Sequence, residues 1–71
     1  MQIDKQKLAD QINVSGIRVK GRDGSIVKGK VYGVWREFAT VIVFTPFGEV
    51  TAEFAWRTLD DCFTNGRTLQ L

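Results

Sequence analysis

Five cations and a tyrosine recur at strand spacing between positions 18 and 32: Arg18, Lys20, Arg22, Lys28, Lys30 and Tyr32. Side chains two apart on an extended chain share a face, so these residues predict one positively charged stripe with an aromatic ring at its end. The chemistry such a stripe can do is anion binding. Ammonium and guanidinium groups contact phosphates while the ring stacks on a base. If Arg18 and Lys28 face each other across a hairpin, they form a like-charge pair that costs stability unless water or an anion screens it. The plainer role of the same residues is to solubilise an outer strand face and guard it against edge pairing.

Other reactive groups are few. The chain has no histidine, so a nucleophile–histidine pair cannot be built, and Cys62 has no base beside it in sequence. Cys62 reads as a small buried apolar residue. Asp60-Asp61 supplies adjacent carboxylates of the kind that hold a metal or work as acid and base, although neighbouring acids on a surface turn need neither role. The seven glycines make no phosphate-loop or dinucleotide pattern. No cofactor and no metal is expected, and the chain is read as non-enzymatic.

A length of 71 residues with 44% hydrophobic content predicts one domain, residues 1–71, with one thin core. Domains of this size bury about 60% of their unfolded surface, so self-association into a homo-oligomer is the expected support. A single cysteine excludes an internal disulfide and fits a reducing compartment. No apolar run approaches the roughly 18 residues of a membrane span, and Met1-Gln2-Ile3-Asp4 lacks the basic and apolar regions of a signal peptide. A cytoplasmic protein without a membrane partner is expected. The net charge of +2 is mild, but six of the ten basic residues fall between Arg18 and Arg36. An anionic partner is therefore argued from placement and not from the sum.

The elements that must position the stripe follow from turn chemistry. Asp4 is a good helix N-cap, with Ile3 and Leu8 spaced as a hydrophobic staple, which predicts a helix over 5–12 ended by a left-handed Asn13. Next, a strand over 17–21 and a long strand over 25–35 flank Arg22-Asp23-Gly24. A type I turn with Gly24 left-handed pairs Val19 with Val27, Ile17 with Gly29 and Arg18 with Lys28, keeping valines on one face. Gly29 and Gly33 are placed inward with Val31 and Trp35, where a small barrel bends. Strand 40–45 is expected to turn Thr40, Ile42 and Phe44 inward and Val41 and Val43 outward, making those two valines the candidate oligomer or partner contact. Pro46-Phe47-Gly48 predicts a second such turn, pairing Phe44 with Val50 and Thr40 with Phe54. Thr58 is expected to cap one helical turn, Asn65-Gly66 to end it, and residues 67–71 to form a fifth strand. The expected fold is mainly β, a small five-stranded antiparallel barrel behind an N-terminal α-helix.

The order of elements, and the stretch IRVKGRDGSIVKGKVYG in particular, resembles Sm-like proteins: a valine-rich strand, an Asp23-Gly24 turn, and Gly29 in the strand that follows. The resemblance implies a small barrel. The Asp and Asn that Sm proteins use for uridine would fall near residues 35–40, where neither occurs, so uridine specificity is not implied. Gly16, Arg18-Val19, Gly24, Gly29 and Gly33 also resemble the SH3-like barrel of plasmid type II dihydrofolate reductases. That resemblance implies a pore-type oligomeric enzyme or small-molecule binder. Of the family's Val-Gln-Ile-Tyr pore segment, however, Val50-Thr51-Ala52-Glu53 keeps only the valine. The leading expectation is a non-enzymatic binding module that takes RNA or DNA on Arg18, Lys20, Arg22, Lys28, Lys30 and Tyr32, with Trp35 and Phe38 near the strand end. The alternative is a protein-binding regulator or inhibitor of the kind that mobile elements carry in phage, plasmids and gene cassettes.

Overall fold

Helix α1, Lys5–Ser15, begins where the Asp4 carboxylate accepts a hydrogen bond from the Lys7 amide at 3.1 Å, as expected of an N-cap. The computed structural model describes residues 3–71, so Met1 and Gln2, read above against a signal peptide, lie outside them. Asn13 does not end the helix. The helix continues to Gly16, which takes the left-handed φ of 82°. The Asn13 side chain instead reaches the sheet, where its Oδ1 accepts from the Val31 N–H at 2.8 Å and its Nδ2 donates to the Val31 carbonyl at 3.3 Å. A side chain thus serves both polar groups of a strand residue just beyond the end of the neighbouring ladder.

The strands are β1 Ile17–Lys20, β2 Ile26–Val34, β3 Phe38–Thr45, β4 Gly48–Ala55 and β5 Leu69–Gln70, with α2 Trp56–Thr64 between the last two. They form one curled sheet in the order β4-β3-β2-β1-β5. The mainly β fold with an N-terminal helix is as expected, with two corrections. β5 runs parallel to β1, so the sheet is mixed, and β4 and β5 do not pair, so the barrel is open on one side. The first hairpin has the anticipated register, Val19 with Val27, Arg18 with Lys28 and Ile17 with Gly29. Gly24 is left-handed at φ 88°, as the three-residue loop requires.

The faces of β3 are the reverse of the expectation. Gly29, Lys30 and Val31 pair with Val43, Ile42 and Val41, but Gly33 pairs with Thr40, so β2 carries one extra residue, Tyr32. This is a β-bulge. The loop before β3 is also shorter than expected, and together they turn Ala39, Val41 and Val43 inward, all with no exposed surface. The second hairpin closes on Thr45 and Gly48 around Pro46 and Phe47, which pairs Val43 with Val50 and Ala39 with Phe54. Val41 and Val43 therefore cannot be the contact surface anticipated for them, and Phe44 sits outside, 43% exposed.

The concave side of the sheet holds the core. Leu8, Ala9 and Ile12 of α1 and Trp56, Leu59 and Cys62 of α2 close over Ile17, Val19, Val31, Val41, Val43 and Leu69. Of the residues expected there, Val27, Ala52 and Phe54 are half-buried, with Val27 and Phe54 packed against the core's margin, and Val50 is 44% exposed. Helix α2 starts earlier than expected, with Ala55 and not Thr58 at its N-cap. No helix among the described residues is long and apolar enough to cross a membrane.

Candidate nucleic-acid interface

Among the described residues no helix covers the convex face of the sheet, and the registers fix what it presents. Arg18 lies beside Lys28, and continuing the β2–β3 ladder by one residue puts Phe44 beside Lys28 and Glu49 beyond it. The next row is Lys30, Ile42 and Thr51; the one after is Tyr32 with Gly33, then Thr40, then Glu53. Lys20 stands next to Ile26 at the other end. The face is therefore graded: cations on β1 and β2, apolar and aromatic groups in the middle, carboxylates on β4.

The bulge builds the aromatic part. Because Tyr32 is the extra residue, it stands out 72% exposed and Gly33 shares its side of the sheet with Thr40. The absent Gly33 side chain leaves room for the Trp35 ring, whose Nε1 lies 2.8 Å from where a Cβ on Gly33 would be. The same Nε1 donates to Thr40 Oγ1 at 2.8 Å, so the indole lies on the outer face, half exposed, and not inward as its parity suggested. Phe38 stands against it with ring centroids 6.4 Å apart. Beneath this loop the buried Trp56 donates from Nε1 to the Trp35 carbonyl at 2.8 Å and fixes the strand end.

Four of the six residues singled out by sequence, Lys20, Lys28, Lys30 and Tyr32, face solvent on this surface with Arg18 at its margin. Arg18 is partly committed: its Nη2 donates to the Gly66 carbonyl at 2.9 Å, past the end of α2. That bond gives the guanidinium a partner other than an anion, which offsets part of the like-charge cost of standing beside Lys28. Arg22 does not join the stripe. It lies at the hairpin tip, where it lines a trough that opens to the other side. Beside it, the Ser25 hydroxyl at 2.7 Å and the Ser25 amide at 3.0 Å hold the Asp23 carboxyl below its usual range. Phe44 is the member the sequence reading missed; Trp35 was expected near the strand end but on the inward parity. Every residue of β3 except two threonines is apolar, so no alternation marks Phe44 as external.

The other reactive groups have structural employment. Asp60 accepts from the Thr64 hydroxyl, while Asp61 accepts from the Asn65 amide at 2.7 Å and pairs with Arg67 at 3.7 Å. Burial pushes the Cys62 thiol up, with the Asp61 charge adding to the effect and Arg67 opposing it. A buried thiol so held is a poor nucleophile. Among the described residues no group of three or more carboxylate or cysteine side chains could hold a metal. Compared with known proteins, the chain matches no family model, no curated sequence and no solved structure.

Proposed function

We propose that the convex sheet face binds single-stranded nucleic acid. The observation that carries the reading is the adjacency of exposed Lys28 and Lys30 to exposed Tyr32, Trp35 and Phe44 on one uncovered surface. Cations alone would serve any polyanion. Aromatic faces open to solvent beside them add a reward for unpaired bases, whose π surfaces a duplex keeps stacked away. Lys28, Lys30 and Lys20 contact backbone phosphates; Tyr32, Trp35 and Phe44 receive bases. The carboxylates Glu49 and Glu53 on β4 repel the backbone and confine it to the β1–β2 side.

The test is fluorescence anisotropy with labelled single-stranded RNA, single-stranded DNA and duplex DNA of equal length at low salt. Single strands are expected to bind more tightly than the duplex, and Tyr32→Ala with Phe44→Ala to remove that preference while leaving a weak, charge-driven affinity. Equal binding of duplex and single strand by the native chain overturns the stacking role. Failure of all three to bind below about 100 µM, the weak end of ordinary non-specific affinity, overturns the reading altogether.

A further inference from the structure

The opening between β4 and β5 is a second surface, on the opposite side of the sheet from the aromatic one. A trough of about 730 Å³ runs there, lined on one wall by Phe47, Val50, Ala52 and Phe54 and closed on the other by the Arg22–Ser25 turn and Leu71. Phe47 is 93% exposed and Val50 is 44% exposed. Along its rim β4, eight residues long, pairs among the described residues with β3 alone and so offers a free edge of backbone donors and acceptors. Outward of that edge stand Glu49, Thr51 and Glu53; inward of it stand Val50, Ala52 and Phe54.

We infer that this edge takes an extended segment of a partner protein as a sixth strand, one alternating apolar residues with arginine or lysine. The alternation is dictated by the two faces. Inward side chains of an added strand would lie against Val50 and Phe54 in the trough, and outward ones beside Glu49 and Glu53. The same charges argue against a second copy of β4 as the occupant. Antiparallel self-pairing centred on Thr51 sets Glu49 opposite Glu53 twice over, and the equally long ladder centred on Ala52 sets the two copies of Glu53 diagonally across from each other. Glutamates that only guarded the edge would not account for the apolar wall beneath them.

The probe is an acetylated, amidated, fluorescently labelled eight-residue peptide alternating valine and arginine, titrated into the full chain by anisotropy. The expected result is saturable binding, at least tenfold weaker for a valine–glutamate peptide and at least tenfold weaker for Glu49→Lys with Glu53→Lys. N-methylation of alternate peptide amides should abolish it, because a ladder needs those N–H groups. Val50→Asp, at an exposed position that the fold does not need apolar, should weaken it while the circular dichroism stays native. The inference is overturned if the arginine peptide does not bind, if N-methylation has no effect, or if the charge reversals leave binding unchanged. A dimer of the free chain in sedimentation that Val50→Asp dissociates overturns it as well, by giving the trough to a second copy. Lys28→Ala with Lys30→Ala should leave peptide binding intact, which separates this surface from the nucleic-acid face.

Discussion

Two glycines four residues apart on β2 do different work. A Cβ on Gly29 would come within 3.0 Å of Val19 Cγ2 and of Val41 Cγ1, and within 3.4 Å of Ile17 Cγ2. Val19 and Val41 have no exposed surface and no room to retreat, so Gly29→Ala is expected to destabilise the fold by about 1–3 kcal/mol through overpacking. The three atoms nearest to a Cβ on Gly33 all belong to the Trp35 indole, at 2.8–3.1 Å, and that ring is half exposed. Gly33→Ala should leave chemical denaturation little changed, yet break the indole's bond to Thr40 and shift Trp35 emission to the red. A loss of stability as large as that of Gly29→Ala would show that the indole is wedged in place. Sequence alone assigns both glycines to curvature; only their neighbours, which lie on other strands or across the bulge, tell packing from site construction.

At the scale of elements, the first hairpin was legible and the β2–β3 pair was not, for one physical reason. Turn chemistry is local: Asp23 and a left-handed Gly24 select a three-residue loop, and the register of Val19 with Val27 follows from it. A bulge is not local. The one at Tyr32 rests on Asn13, eighteen residues away from the Val31 it bonds, and on an indole filling the space above Gly33. With β3 apolar almost throughout, a one-residue slip exchanged its faces without breaking any pattern the sequence could display. The open side of the barrel was hidden in the same way, because the parallel pairing of β5 with β1 joins residues about fifty positions apart. The face assignment has a sharp check. Val43→Asp would place an unpaired carboxylate in the core and should abolish folding at room temperature, whereas Phe44→Asp should fold and lose nucleic-acid affinity. Equal tolerance of the two, read by circular dichroism and anisotropy, would mean the strand is turned the other way.

The whole molecule separates three surfaces by curvature and charge. The helices fill the concave side, the trough beside β4 carries carboxylates at its rim, and the convex side carries the lysines. With a net charge of only +2, a general attraction to polyanions is weak, so the proposed affinity for nucleic acid would come from contacts and respond to their number. Lys28 and Lys30 are the contacts to count. Both are exposed and, among the described residues, neither has a carboxylate partner, while Arg18 is tied to Gly66 and Arg22 lines the trough. Each phosphate contact to a single strand adds about 0.7 to the slope of log affinity against log salt, so Lys28→Ala with Lys30→Ala should lower that slope by about 1.4. Both side chains lie outside the core, so denaturation midpoints should hold. The companion pair, Glu49→Gln with Glu53→Gln, removes repulsion and no contact. It should raise affinity at low salt, and the gain should fade as salt screens it. A slope unchanged by loss of the two lysines would move the phosphates off β2, and with them the claim that the convex face is where the strand lies.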